Sequence, residues 1–390
     1  MYGTVPATPP MQTFRALEFF AGSGLVRLGL EPEFSTAWAN DISEKKAVVY
    51  RANAPHDNLQ VISIADVHGS DLPCADLAWA SFPCQDLSLA GNLTGIREGT
   101  RSGLFWEWMR VLDELTKAGK RPPVLVAENV VGFLAAHEGA HFKRAYDALK
   151  SRGYRVGALA IDARVFLPQS RPRAFIVATD AAVPLDGLTQ ALPAGMFHTE
   201  TVVRTAREAV NDSDWVWWSL PEPSGHVQTF ADLCDREATC DTVAGTTKLR
   251  GMLSPHNRRK LERAIAMRRF LVGTGYKRTR PNARGRKVQR LELRFDGVAG
   301  CLRTPEGGSS RQVVVIVDRG KVRTRLMTVR ECARLMGAPD TFELDVSYND
   351  GYRAMGDAVA VPVVRWLTRH LLAPLAARAH AQRASAESAA

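Results

Sequence analysis

Residues 75–85, ADLAWASFPCQ, join an apolar run to a proline, a cysteine and a glutamine. The run predicts a buried strand, so Cys84 comes just after the carboxyl end of that strand. In open α/β sheets, ligands bind at this edge. A cysteine considered by itself is most often a small buried apolar side chain. Here, however, two other strands carry polar residues to the same kind of position.

Both of these strands are short apolar runs. The first, 124–127, is followed by ENV at 128–130, and the second, 174–178, is preceded by QSRPR at 169–173. A thiol, a carboxylic acid and a pair of arginines therefore arrive at strand ends. This constellation is suited to covalent catalysis with Cys84 as the nucleophile.

Strand-like and helix-like segments alternate between residues 13 and 180. Such alternation predicts an α/β fold with a parallel, doubly wound sheet. After residue 180, Pro, Gly and Trp become frequent and the alternation ends, so we expect a second, irregular domain. Helical patterns return at 328–336 and 360–372. The alanine-rich tail, 376–390, is expected to fray.

The composition is that of a soluble globular protein. The chain has 390 residues, of which 45% are hydrophobic and 24% charged, which is enough for two or three domains. No apolar stretch approaches the length of a membrane span, and residues 1–12 lack the features of a secretory signal. Six cysteines without a C-x-x-C pair suggest neither disulfides nor a zinc ribbon. We therefore expect a cytoplasmic protein with reduced thiols and no metal site.

Two further patterns have alternative interpretations. Residues 137–141, HEGAH, match the H-E-x-x-H pattern of zinc proteases. Gly139 interrupts that pattern between a strand end and a helix, so the two imidazoles are not expected on one helical face. The sequence WVWW at 215–218 could stack on nucleotides, but it is interpreted mainly as domain core.

Positive charge is concentrated in one segment. The whole chain carries +10, whereas Lys248 to Arg290 contains fifteen Lys or Arg and a single acid, Glu262, for a local net charge of +14. A run of charge is often only a solvated surface. This asymmetry instead favours a localised surface for a polyanion, with nucleic acid as the leading candidate.

The first strand is joined to the first helix by EFFAGSG at 18–24. Gly22 and Gly24 allow the backbone to approach a ligand at the helix N-terminus. Arg27 stands where a dinucleotide fingerprint needs its third glycine, which disfavours a pyrophosphate cofactor. Asp41, at the end of the second strand, is placed to accept from ribose hydroxyls. This combination suits a nucleoside cofactor such as S-adenosylmethionine, with Phe20 stacked beneath the adenine and Asp66 near its amine.

Together these segments resemble the ordered motifs of the DNA (cytosine-5) methyltransferase family, of bacterial or phage type. The similar blocks are FAGSG at 20–24, PCQ at 83–85, ENV at 128–130, QSRPR at 169–173, RECARLMG at 330–337 and GDAV at 356–359. Three positions depart from the usual pattern: Glu18 and Asp357 stand where Asp and Asn are common, and Leu25 occupies a position that is often glycine.

The resemblance implies a doubly wound, mostly parallel sheet of the S-adenosylmethionine-dependent methyltransferase type. It implies a catalytic domain at 13–180, a target-recognition domain for DNA at 181–325, and a segment at 326–375 that returns to the catalytic domain. Arg303 and Thr304, together with the basic segment, would contact DNA. The implied cofactor-binding positions are Glu18, Phe20, Ala21, Gly22, Gly24, Asp41, Asp66, Pro83, Leu104, Asp357, Ala358 and Val359.

The resemblance also implies catalytic roles. Cys84 would attack C6 of a cytosine flipped out of the duplex, and Glu128 would hold or protonate N3. Arg171 and Arg173, two positions apart in a predicted strand, should face the same side and hold O2. Asn129 and Gln85 would be orienting groups. The glycine-punctuated segment 88–102 would close over the base.

The favoured function is site-specific methylation of cytosine C5 in double-stranded DNA, in a bacterial cell or a phage-infected host. A monomer is expected, working beside a restriction endonuclease with the same site. One alternative is an RNA cytosine-5 methyltransferase, which the large domain after the arginine motif disfavours. The other is a DNA-binding regulator without activity, against which the intact Cys84, Glu128 and Arg173 argue.

Overall fold

The computed structural model describes residues 13–83, 103–225, 227–282, 284–304 and 311–389. Within these ranges the larger sheet has seven strands. They are β1 (Phe14–Phe19), β2 (Phe34–Asp41), β3 (Leu59–Val61), β4 (Leu77–Ala80), β5 (Val124–Val130), β6 (Tyr154–Asp162) and β7 (Pro172–Asp180). Strand β4, LAWA, is buried at every residue, as expected for a central parallel strand covered on both faces.

The strands lie in the order β3-β2-β1-β4-β5-β7-β6, and β7 is antiparallel to both of its neighbours. The other pairs that join β1 to β5 are parallel. The predicted fold class is thus confirmed. Because β7 is reversed, its amino end lies at the edge where β1, β2, β4 and β5 end. In this register, Arg173 pairs with Val130.

Helices cover both faces of the sheet. One core contains Trp108 and Phe142, and the other contains Leu25 and Val364. The helices are α1 (Leu25–Leu30), α2 (Glu44–Asn53), α3 (Leu104–Lys117), α4 (Gly132–Ala135), α5 (Ala140–Lys150), α6 (Glu200–Arg204), α7 (Phe230–Leu233), α8 (Val243–Gly251), α9 (Pro255–Ala266), α10 (Val329–Leu335), α11 (Tyr348–Asp357), α12 (Val361–Leu367) and α13 (Ala373–Ala389). Among the described residues, no helix combines the length and apolarity that a membrane crossing requires.

The second domain is more regular than its sequence suggested. Four strands, β8 (Leu271–Pro281), β9 (Lys287–Arg294), β10 (Gln312–Asp318) and β11 (Lys321–Leu326), form an antiparallel sheet in the order β11-β10-β8-β9. On one face, α8 and α9 pack over Leu291 and Val315. Sequence analysis did not reveal this sheet because basic residues interrupt the apolar alternation of β8 and β9, while backbone pairing still forms the sheet.

The C-terminal tail also differs from expectation. Residues predicted to fray from 376 belong to α13, in which Ala376 and Ala379 are buried. Arg378 donates to the carbonyl oxygens of Pro184 and Asp186 at 3.1 and 2.6 Å. Alanine favours helix, and these contacts hold the first half of α13 against the body of the protein.

The two ambiguous motifs are resolved by backbone geometry and packing. His137, Glu138 and Gly139 all have positive φ, so His137 precedes α5 and the two imidazoles do not share a helix. Trp215 stacks on Tyr146 with ring centroids 5.7 Å apart, and Trp218 is 1% exposed. These two tryptophans are therefore core residues, as interpreted.

Candidate active site

The active-site edge is formed where β4 and β5 end and β7 begins. Pro83 is exposed and leads directly to Cys84 and Gln85, which lie outside the described residues, as does the predicted closing segment 88–102. The Asn129 side chain donates to the carbonyl oxygen of Phe82 at 3.1 Å. This hydrogen bond ties β5 to the chain two residues before Cys84.

Glu128 and Arg173 form an ion pair at this edge. Arg173 Nε lies 3.0 Å from Glu128 Oε1, and the two side chains are 17% and 8% exposed. Burial raises the pKa of the Glu128 carboxyl, and the charges of Arg173 and Arg171 oppose the rise, as does a hydrogen bond with Ser81. The site therefore holds a carboxyl whose proton is retained more readily than in water.

Arg171 does not join this pair, contrary to the prediction. It is 1% exposed, and its guanidinium donates to the carbonyl oxygens of Leu302 (3.1 Å), Gly356 (2.8 Å) and Ala358 (2.6 Å). The alternation argument failed because β7 begins at Pro172, so Arg171 lies before the strand. Burial lowers the pKa of Arg171 to about 10. Its role in the structure is to join the segment 301–304 to the end of α11.

Sequence analysis missed Gln169 and Gln312, which hold the same segment. Gln169 is fully buried; its amide donates to the Leu335 carbonyl at 2.6 Å and accepts from the Leu302 N–H at 3.1 Å. Gln312 exchanges two hydrogen bonds with the Gly300 backbone. Gln169 was visible within QSRPR, but nothing in the sequence showed its partners. These hydrogen bonds thus fix the backbone that leads to Arg303 and Thr304.

The loop between β1 and α1 has the geometry of a ligand-binding turn. Gly22 and Gly24 have φ of 59° and 82°, and a Cβ on Gly24 would lie 2.9 Å from the Tyr50 ring. Asp41 accepts from the Gly22 and Ser43 N–H groups, both at 2.8 Å. The carboxylate of Asp41 therefore shapes the loop and keeps lone pairs for a ligand hydroxyl.

A family comparison decides what this edge serves. The model of the family described as C-5 cytosine-specific DNA methylase matches residues 14–373. The chain belongs to this family. It is an enzyme that transfers a methyl group from S-adenosylmethionine to C5 of cytosine in DNA.

Curated relatives are similar over nearly their full length. The Type II methyltransferase M.Bsp6I of Bacillus sp. (strain RFL6) is 24% identical over 90% of this chain and 96% of its own. M.NlaX of Neisseria lactamica is 26% identical over 93% and 98%. Among solved structures, the S. pombe Dnmt2 methyltransferase has a TM-score of 0.57 at 18% identity, covering 93% of this chain and 99% of that one, which supports the fold.

Beneath the cofactor loop, the methyltransferase buries Glu18 completely. Both carboxylate oxygens are shielded from solvent, and the carboxyl lies close to the backbone N–H of Arg27. Burial raises the pKa of Glu18 to about 8, and the nearby Arg27 charge opposes the rise. Glu18 thus lies under the loop as a carboxyl that favours its protonated form.

The other predicted cofactor positions differ in their exposure and in their hydrogen bonds. Asp357 pairs with Lys46 Nζ at 2.8 Å and accepts from the Thr304 hydroxyl. Asp66 is exposed at the end of a 3-10 turn. Phe20 is partly buried and has a positive φ, and Ala21 and Val359 are buried. Leu104 is the first residue of α3. The carbonyl oxygen of Ala358 accepts from Arg171.

Ile42 is a candidate cofactor contact that sequence analysis missed. It follows Asp41 and is 74% exposed. This exposed apolar side chain beside the loop is available to contact the flat adenine of a cofactor bound there. Its apolar side chain next to Asp41, the carboxylate predicted to bind ribose, was the available signal. The Asp41 carboxylate, the turn at Gly22 and this apolar side chain fit S-adenosylmethionine.

A cleft of about 730 Å³ opens between the start of β7 and the second sheet. Its walls include Ser170 and Pro172 on the catalytic side, and Arg278, Glu292 and Arg303 on the other. The basic segment Lys248–Arg290 extends from the end of α8 through α9 and β8 into β9. Part of it therefore borders the cleft next to the catalytic edge.

Proposed function

We propose that this methyltransferase modifies one cytosine within a specific sequence of double-stranded DNA, through a covalent bond between Cys84 and C6 of the flipped base. The main support is the buried Glu128–Arg173 ion pair, because Glu128 is also hydrogen-bonded to Ser81, three residues before Cys84. A neighbouring cleft with basic walls supports duplex DNA as the substrate. Rotating the base out of the duplex costs a few kcal/mol in lost stacking.

Cys84 activates the ring. Its thiolate forms a C–S bond at C6, which turns C5 into an enamine-like carbon and moves negative charge toward N3 and O2. When bound, S-adenosylmethionine supplies the methyl group. Loss of the C5 proton to a base and departure of the Cys84 thiolate then restore the aromatic ring and release the enzyme.

Glu128 and Arg173 receive the charge that develops on the ring. Glu128, with its raised pKa, holds a proton for N3. Arg173 uses Nε on Glu128 and Nη1 on the Pro172 carbonyl, which leaves Nη2 for cytosine O2. Asn129 orients the chain that carries Cys84 through its bond to Phe82. Arg171 acts one step away, by positioning the segment 301–304.

The cellular setting is inferred from the relatives. Those named Type II methyltransferases come from bacteria and are covered almost completely. We infer a monomeric enzyme in the cytoplasm of a bacterium or a phage-infected host, paired with a restriction endonuclease that cuts the same sequence. DNA from a host that carries the methyltransferase should resist that nuclease. Size-exclusion chromatography of the enzyme should give the mass of one chain.

Covalent trapping tests the mechanism. Bisulfite sequencing of DNA from an expressing host first identifies the methylated sequence, which is then synthesised as a duplex with 5-fluorocytosine at the target. Fluorine at C5 blocks elimination, so an adduct that survives denaturation should form only with S-adenosylmethionine present. Cys84→Ser should abolish the adduct, whereas Cys74→Ser, at an exposed free thiol, should retain it.

Two results would contradict the proposal. Full methylation by Cys84→Ser would exclude the covalent route. Trapping on the same sequence made as RNA, without trapping on the DNA duplex, would favour the RNA alternative.

A further inference from the structure

The strands β8 and β9 extend beyond the rest of their sheet. Strand β10 pairs with β8 only from Leu271 to Tyr276, whereas β9 pairs with β8 as far as Pro281. Residues 277–281 and 287–291 therefore form a two-stranded ribbon. Its turn is closed by the Asn282 N–H donating to the Arg286 carbonyl at 2.9 Å. A ribbon of two strands has the width that the major groove of B-DNA admits.

One face of this ribbon carries an unusual arrangement of charge. Tyr276, Arg278 and Arg280 alternate along β8 and so share a face, and Glu292 is opposite Tyr276. Glu292 Oε2 lies 3.1 Å from Arg278 Nε, and Oε1 lies 2.7 Å from Arg280 Nε. One carboxylate thus holds two guanidinium groups by their Nε atoms. The side chains of Arg278 and Arg280 are 34% and 50% exposed.

The ribbon is held in place relative to the active site. The guanidinium carbons of Arg278 and Arg303 lie 5.7 and 5.6 Å from the centroid of the Tyr276 ring. The Tyr276 hydroxyl donates to the Cys301 carbonyl. A Cβ on Gly300 would lie 2.7 Å from this ring, which shows how closely the segment packs. Arg171 holds the same segment from the catalytic side. Arg278 and Glu292 therefore stand on the wall of the cleft that Pro172 borders.

The presence of Glu292 distinguishes base reading from phosphate binding. A carboxylate facing a DNA cleft weakens attraction to phosphates, so simple charge neutralisation does not account for it. Fixing a guanidinium through Nε leaves its two Nη donors side by side, which is the pattern that pairs with O6 and N7 of guanine. Phosphate contacts place no such demand on orientation.

Resting on the proposed function, we propose that the β8–β9 ribbon enters the major groove and that Arg278 and Arg280, oriented by Glu292, read guanines beside the target cytosine. The recognised sequence accordingly contains guanine at the positions these arginines meet. Glu292 is a positioning residue, because it acts through the two arginines.

Sequence profiling tests this inference. Duplexes with a central cytosine and randomised flanks are incubated with each variant and S-adenosylmethionine, then sequenced after bisulfite treatment. Arg278→Lys and Arg280→Lys keep the charge but lose the paired donors. Each should relax the preference for one guanine by about 10-fold or more. Glu292→Gln should relax both guanine preferences together. Glu292→Asp, which keeps a carboxylate, should retain more of both preferences than Glu292→Gln does.

The control variant is Arg323→Lys, at an exposed arginine of β11 on the opposite edge of the sheet, which should leave the recognised sequence unchanged. Unchanged binding of S-adenosylhomocysteine by all variants verifies folding. Either of two results would mean that the arginines contact phosphates and that the inference is wrong. The first is that Arg278→Lys and Arg280→Lys both keep the wild-type sequence preference. The second is that Arg278→Ala and Arg280→Ala lower methylation equally on all sequences. A wild-type protein that methylates no DNA would instead overturn the proposed function, so the two failures are distinguishable.

Discussion

Glu18→Gln should make the methyltransferase more stable at alkaline pH. The Glu18 carboxyl is fully buried, and burial raises its pKa to about 8 from an ordinary value of 4.5. Between these values the folded protein binds a proton that the unfolded chain releases. The contribution of Glu18 to stability therefore falls as pH rises from about 4.5 to about 8, and this contribution is constant outside that window.

The size of the effect follows from this gap in pKa. At about 1.4 kcal/mol for each pH unit, ionising Glu18 in the folded protein costs on the order of 3 to 5 kcal/mol. This is a large part of the 5 to 15 kcal/mol by which domains are typically stable. Glutamine has the shape of the protonated carboxyl but does not ionise, so it avoids that cost.

The assay is urea unfolding at pH 5, 7 and 9, with a circular dichroism signal. The advantage of Glu18→Gln over the wild type should increase steadily with pH and be largest at pH 9. Glu237→Gln, at an exposed carboxyl, serves as the matched control and should show no such trend. A difference between Glu18→Gln and the wild type that is the same at all three pH values would refute the reasoning, because it would mean that Glu18 does not titrate differently in the folded state.

Three further predictions concern the site and the domain junction. Glu128→Gln should bind DNA yet methylate it about 100-fold more slowly, as for a lost general acid. The single-turnover rate of the wild type should decline at high pH, where Glu128 with its raised pKa loses its proton, and this decline should be absent in Glu128→Gln. Asp41→Ala should weaken S-adenosylhomocysteine binding in calorimetry, since it removes the acceptor for Gly22 and Ser43; unchanged affinity would argue against this loop as the cofactor site. Arg325→Leu should cost about 3 to 5 kcal/mol in urea unfolding because Glu331, fully buried and 2.6 Å from Arg325, is left unpaired; Arg334→Ala, at a more exposed ion pair, should cost under about 1 kcal/mol.

Local patterns in the sequence determined the strands, the fold class and the edge of the sheet at which the proposed catalytic residues meet. Apolar runs of strand length followed by PCQ, ENV and the loop with Gly22 were sufficient, because strand periodicity and glycine-containing turns are properties of neighbouring residues. The same patterns placed Asp41 beside the loop that contains Gly22, although they did not show its bonds to Gly22 and Ser43. Ile42 was within reach of this reasoning and was missed.

Only the tertiary structure decided which of the two arginines serves the site. Arg171 and Arg173 look equivalent in the sequence, but the start of β7 at Pro172 separates them: Arg173 pairs with Glu128, while Arg171 binds carbonyl groups about 130 and 185 residues further along the chain. The reversed direction of β7, the partners of Gln169, the burial of Glu18 and the ribbon formed by β8 and β9 are of the same kind. Each depends on contacts between distant segments, and such contacts leave no periodic signal in the sequence because they are formed only when the whole chain has packed.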